Sequence, residues 1–296
     1  MSNETTPREG FANAAPNRPT ENGVSAVGTA TPVDLKERVR TVRRHGLSGR
    51  KKWSLRAVSV TVILLAWELY GRSINPILLS YPTAIVAAGF DMAAAGSLPK
   101  ALRESFVVLG TGFLIGCGAG VFFGVLAGRR QSLSAFLEFP VNALYATPMV
   151  ALIPVIVLWF GFGITAKIVV VTLFVVFPVL INTMRGVGEV DPDLIEVARS
   201  FCSGERRMWR DLILPSALPY IVTGIRLAIG RGLIGVIVAE FFTAFSGLGN
   251  LIVTSANTFK TAEMFVPILI IAAFGVVSTA LLEWLERRLV RWRKPA

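Results

Sequence analysis

Few side chains in this sequence are placed to do covalent chemistry. His45 is the sole histidine and stands in a basic stretch, so neither a His-based triad nor a zinc site with histidine ligands can be assembled. Cys117 falls in an apolar run and Cys202 in a polar segment, which gives no disulfide framework; both thiols read as free. No carboxylate pair or metal-ligand spacing stands out, so no cofactor is expected, and enzyme or scaffold readings find no support. The notable groups are charges in unusual places. Arg226, Arg231 and Glu240 lie in or beside one long apolar run, where an unpaired charge is expensive. Arg226 can snorkel to an interface, whereas Arg231 lies deeper and is a candidate for lining the path of an anionic substrate. Arg231 and Glu240 are about 13 Å apart on one straight helix and cannot pair directly. Met149, among Pro140, Pro148 and Pro154, marks an irregular apolar stretch of the kind that lines pathways, so Met149, Arg231 and Glu240 are the pathway candidates.

The elements that carry these groups belong in a bilayer. With 53% hydrophobic and 17% charged residues among 296, the chain is too apolar for a water-soluble domain of this length. A net charge of +11 could mean nucleic acid, but the Lys and Arg cluster at the ends of apolar runs, which points to membrane lipid and no nucleic acid. Six stretches suffice to cross roughly 30 Å of hydrocarbon: 54–72, 104–128, 138–160, 165–184, 218–243 and 264–285. Residues 81–100, bracketed by Pro82 and Pro99, read as an interfacial helix, and Trp67, Glu68 and Tyr70 as interfacial anchors. With both termini cytoplasmic, the inner segments hold 23 Lys and Arg against five outside, the asymmetry expected of that orientation. Residues 1–53 form a basic tail, expected to be disordered, and 291–296 a short cytoplasmic one. The second span carries Gly112, Gly116, Gly120, Gly124 and Gly128, with Gly110 and Gly118 besides. Such a row permits close helix approach, either within one subunit or at a dimer or moving interface.

The segment 185–215 (RGVGEVDPDLIEVARSFCSGERRMWRDLILP) is the most informative. Asp191 can cap a helix that starts at Pro192, with Leu194, Ile195, Ala198 and Phe201 at helical spacing. Ser203 and Gly204 are expected to break it, and Glu205 to Ile213 to form a second helix ended by Pro215. The product is a short charged hairpin suited to docking on a soluble partner.

Glu196-Val197-Ala198, followed by Leu214-Pro215, resembles the EAA loop of ABC importer permeases. Val197 stands for the second Ala, Cys202 for the usual Gly, and Leu212 for the Ile, which suggests a break displaced to Gly204. Leu214-Pro215-Ser216-Ala217-Leu218-Pro219, Thr223-Gly224-Ile225-Arg226, Val238-Ala239-Glu240 and Ser246-Gly247-Leu248-Gly249 further resemble the nitrate/sulfonate/taurine-type branch, across about residues 50–290. The resemblance implies an all-α polytopic bundle of type I architecture, with residues 54–290 as its transmembrane permease domain. It also implies a second permease copy, cytosolic ATP-binding subunits and an extracytoplasmic solute-binding protein. Glu196, Ala198, Cys202, Gly204, Leu214 and Pro215 are then the ATPase-coupling residues. The absence of a G-x-x-x-x-G-K-[ST] loop agrees that hydrolysis occurs on another chain. The implied cargo is a sulfonate, taurine, nitrate, bicarbonate or related small anion; the alternatives are a thiamine-precursor pyrimidine or an ATP-independent secondary transporter, against which the lack of an internal repeat argues.

Overall fold

The computed structural model describes residues 49–243 and 246–289, and among these every regular element is helical. The expected tails fall mostly outside the described residues, as does His45. The helices are α1 (Gly49–Ser73), α2 (Pro82–Ala94), α3 (Ser97–Arg129), α4 (Gln131–Ala146), α5 (Met149–Phe160), α6 (Ile164–Gly188), α7 (Pro192–Ser200), α8 (Glu205–Met208), α9 (Leu214–Thr243), α10 (Leu248–Asn257) and α11 (Thr261–Leu289). Helix α1 thus takes in the last residues of the expected tail.

Helix α6 is the buried axis of the bundle. Along α3 the positions where a Cβ would strike α6 advance by four: Gly112 on Val171, Gly116 on Val175, Gly120 on Val179, Gly124 on Thr183 and Gly128 on Val187. An added Cβ would lie only 2.6–2.7 Å from the nearest of these atoms at every rung. Both members advance together, so α3 and α6 run parallel and almost backbone to backbone. The glycine row is therefore a seam inside one subunit. On the other side of α6, Gly224 meets Pro178 and Asn182, Gly232 meets Val175 and Gly235 meets Phe174, an antiparallel register that seats α9. Helix α11 pairs back along α9 through Gly275 and Leu233.

Five helical stretches are long and apolar enough to cross a membrane. The expected span 138–160 is instead two helices, α4 and α5, meeting at 92°. The break falls at Thr147–Pro148, because the residue before a proline is pushed out of helical geometry. Parallel α3 and α6 need the intervening chain to return to the end where α3 began. Helices α4 and α5 make that return together and supply the sixth crossing.

Two other boundaries differ from expectation. Pro99 does not close an interfacial helix; it lies in the first turn of α3, where a missing N–H costs nothing. Pro215 does not end a helix either, since α8 runs through a π turn at Trp209–Ile213 straight into α9. That wide turn lies where the Pro215 ring would otherwise press on the Asp211 carbonyl four residues back.

Candidate coupling hairpin and transport pathway

The hairpin forms as its local chemistry dictates. Asp191 Oδ1 accepts from the Asp193 N–H at 2.9 Å, and Pro192 opens α7. The reversal comes at Cys202, whose φ of 51° is a left-handed conformation that glycine adopts freely and other residues at a cost. Gly204, extended at φ −63°, precedes α8. The break therefore stays at the Cys202 position and is not displaced to Gly204.

Helix α7 divides its apolar residues between two faces. Ile195 packs inward with Val187, Val190, Ile213, Met208 and Trp209, and Ala198 is half-buried. Leu194, Val197 and Phe201 turn outward, Phe201 with 81% of its surface exposed. Glu196 is exposed beside them and makes no ion pair among the described residues. Leu194, Val197 and Phe201 thus form an exposed apolar stripe with the Glu196 carboxylate beside it.

Three spans hold the hairpin. Arg129, ending α3, donates to Glu205 Oε2 at 2.7 Å and lies over the Trp209 ring at 5.6 Å. Tyr220 of α9 donates to Glu189 Oε2 at 2.6 Å. Both polar links are exposed and contribute about 0–1 kcal/mol each. Burying Val187, Val190, Ile213 and Ile221 contributes about 1.5–3 kcal/mol per side chain, so the apolar cluster is the main attachment. Leu214 and Pro215 then continue the hairpin into α9. Between α7, α8 and the start of α4 lies a polar cavity of about 690 Å³, lined by Arg199, Gln131 and Glu138 among others.

The charges in the spans are accounted for differently from one another. Arg226 is ion-paired with Glu286 of α11, so its partner is another helix rather than the headgroups alone. The Arg231 guanidinium lies 4.5 Å from the centroid of the Tyr145 ring, beside the α4–α5 break, with half-buried Met149 just across that break. Glu240 is wholly buried and lines no open space. Its Oε1 accepts from Ser105 Oγ at 2.6 Å and its Oε2 from the Gly249 N–H at 2.7 Å, while Ser105 Oγ accepts from the Leu248 N–H at 2.8 Å. Lys167 Nζ donates to the carbonyl and hydroxyl of Ser246 at 2.9 and 3.0 Å. The sequence pattern singled out Glu240 and the Ser246–Gly249 run, but not Ser105 or Lys167. Those two lie 135 and 73 residues away, and no local spacing connects them.

At the same end, Trp67 Nε1 donates to the Ser80 carbonyl at 3.0 Å, and Glu68 accepts from the Thr83 N–H at 3.1 Å, giving α2 the cap its own residues lack. Tyr70 is exposed, in keeping with an anchor.

Residues 120–291, from mid-α3 through the hairpin and α10 into the last helix, match the family model for the binding-protein-dependent transport system inner membrane component. The chain belongs to this family. Among curated relatives, the permease is similar to the putative aliphatic sulfonates transport permease protein SsuC of Bacillus subtilis, 34% identical with 83% of this chain and 90% of the relative covered. It is also similar to the formylaminopyrimidine transport permease protein ThiX of Halalkalibacterium halodurans, 29% identical over 79% of this chain and 93% of the relative. Among solved structures, an amino acid ABC transporter aligns with a TM-score of 0.50 at 21% identity, over 65% of this chain and 92% of the other, a likeness of fold. The permease is thus a multi-pass inner-membrane component of a prokaryotic ABC transport system. The family and branch resemblance read from the motifs holds.

Proposed function

We propose that the permease imports a small organic sulfonate or a related anion, with its hairpin in the cytosol and both termini on that side. Two copies pair, an extracytoplasmic binding protein delivers solute to the opposite end, and cytosolic ATP-binding subunits receive the hairpins. The observation that carries this reading is the outward stripe of Leu194, Val197 and Phe201 with Glu196 beside it, on a hairpin rooted in the ends of α3, α6 and α9. A motor that displaces such a rigidly attached handle displaces three spans at once. Ala198, Cys202 and Gly204 shape the handle, and Leu214-Pro215 carries its motion into α9.

An anionic cargo is supported by the α4–α5 break. There the N-terminus of α5 leaves backbone N–H groups without helical partners, and Arg231 lies beside the same corner over Tyr145. Met149 is the first residue of that half-helix. The sulfonate itself rests on the similarity to the Bacillus subtilis protein. A neutral pyrimidine is the second reading, because a relative named for one is nearly as similar.

The deciding experiment reconstitutes the permease with its ATP-binding and binding-protein partners in proteoliposomes. Uptake of an alkanesulfonate, taurine, bicarbonate and a formylaminopyrimidine is then measured with and without ATP. ATP-dependent sulfonate uptake that falls at least about tenfold in Arg231→Gln, from loss of one charge-assisted contact, is the expected result. Uptake of the pyrimidine alone, or uptake indifferent to ATP, would overturn the proposal.

A further inference from the structure

Helix α10 is a separate small body set into the end of the bundle remote from the hairpin. Left-handed residues stand at both of its ends, Gly247 at φ 101° and Phe259 at φ 59°. For a phenylalanine that conformation is strained, and Phe259 is also 69% exposed, so nothing in the bundle compensates by burying the ring. Residues of this kind at element ends are where a chain pivots. The N-terminus of α10 is pushed in beside α9, with Gly249 so close that a Cβ would stand 2.9 Å from the Ile237 carbonyl and 2.7 Å from Glu240 Cβ. Gly247 likewise leaves space that the Glu240 carboxylate fills.

Five side-chain hydrogen bonds from the spans converge on that buried end. Glu240 of α9 takes the Gly249 N–H and the Ser105 hydroxyl, Ser105 of α3 takes the Leu248 N–H, and Lys167 of α6 takes both oxygens of Ser246. Three spans thereby grip one helix start, and the carboxylate supplies the negative charge that a helix N-terminus favours. At the other end of α10, Thr254, Ala256, Asn257 and Thr258 are exposed. If α10 withdraws, the buried Glu240 carboxylate loses the Gly249 N–H and Ser105 loses the Leu248 N–H, and neither oxygen can surrender its donor to nothing. Withdrawal of α10 and admission of water to this end of the bundle must therefore be one event.

We infer that Glu240 is a positioning residue of the transport cycle: with Ser105 and Lys167 it latches α10 across the end of the bundle away from the hairpin, and solute passes there only when the latch opens. This rests on the proposed function for which end is extracytoplasmic, but the latch itself is a matter of α10's attachment. Glu240 touches no solute in this role, which replaces the pathway-lining one expected from its position in the span.

The test uses the full complex with Cys117 and Cys202 replaced by Ser and a single cysteine introduced by Ser255→Cys, a buried site on α10. In right-side-out vesicles, a membrane-impermeant maleimide should label this parent slowly. Glu240→Ala should raise the labelling rate about tenfold or more, since a charge-assisted hydrogen bond is lost. It should also raise the ATP hydrolysed per solute imported. Glu240→Gln, which still accepts from the Gly249 N–H, should restore much of both. Should Glu240→Ala fail to assemble, Ser105→Ala removes one grip, leaves the Glu240–Gly249 bond, and should raise labelling by a smaller factor. Equal labelling in the parent and in every latch variant would overturn the inference, as would rapid labelling of the parent. A complex that transports none of the tested solutes would sink the proposed function while the labelling rates still decide the latch.

Discussion

The seam between α3 and α6 and the hairpin at their ends use glycine-like backbone positions to opposite purposes. In the seam, five glycines remove side chains so that two backbones meet, and every rung repeats the same contact. In the hairpin, the one reversal that calls for glycine holds Cys202 instead, and most side chains point at solvent. A bundle in lipid gains no hydrophobic advantage from bringing apolar helices together, so the seam depends on close van der Waals fit. The hairpin is fastened by burying a few apolar side chains, and its outer face is the one proposed to meet another protein. The seam should therefore fail by steric overfilling, and the hairpin by loss of its partner or of its small core.

The largest effect is expected from Gly120→Leu. Even the first carbon of that side chain would lie 2.7 Å from Val179 Cβ and 2.9 Å from the Val176 carbonyl. Overfilling costs about 1–3 kcal/mol where side chains can shift and more where backbone is struck, so the variant should not accumulate as a stable, monodisperse protein in detergent. Gly118→Leu is the internal control on the opposite face of α3, where a Cβ meets nothing within 4 Å. It should insert and fold normally by size-exclusion chromatography. Equal damage from both would mean that the seam is not special, whereas a folded Gly118→Leu chain that no longer pairs would put the second copy on that face.

Next comes a complete loss of function with no loss of fold. Glu196→Lys reverses an exposed charge on α7 that has no ion-pair partner among the described residues. Membrane insertion and thermal unfolding should stay within about 0.5 kcal/mol of the parent. Co-purification of the ATP-binding subunit and solute uptake should both disappear. Retention of both would remove Glu196 from the docking surface and weaken the contrast between a self-contained seam and a partner-seeking hairpin.

Within the hairpin, apolar and ionic attachments can be ranked. Ile213→Ala opens a cavity in the small core and should cost about 2–5 kcal/mol, read as early melting of the hairpin end of the bundle in hydrogen exchange. Glu205→Gln breaks an ion pair that is 73% exposed on the Glu side and should cost no more than about 1 kcal/mol. A larger loss from Glu205→Gln than from Ile213→Ala would reverse the assignment of what fastens the handle.

The seam was legible in the sequence because its signal is local: one residue type every four positions on one helix. Its partner was not, since Val171, Val175, Val179, Thr183 and Val187 look like any apolar helix face, and whether the row packed within or between subunits depended on them. The hairpin was legible through its cap and its motif. The even run of apolar residues on α7 concealed the division between Ile195, turned inward, and Leu194, Val197 and Phe201, turned outward. Prolines misled where their cost could be relieved. Pro215 reads as a terminator in sequence, but the π turn before it lets the helix continue. Glu240 was conspicuous for its charge, and its role was hidden because Ser105 and Lys167 reach it from other spans.

The smallest effect is also the sharpest test of the hairpin's backbone. A left-handed conformation costs an L-residue about 1–2 kcal/mol, a cost that glycine escapes. Glycine in turn loses more freedom on folding, by about 0.5–1 kcal/mol. Cys202→Gly should then stabilise the turn by about 0.5–1 kcal/mol, seen as slower amide exchange at Ser203 and Gly204, with transport unchanged or raised. Cys202→Val should do the reverse, because a β-branched side chain tolerates positive φ worst. If glycine destabilised the turn, the exposed thiol would have to make a contact that outweighs the relief of strain, and Cys202 would join Glu196 in the proposed docking surface.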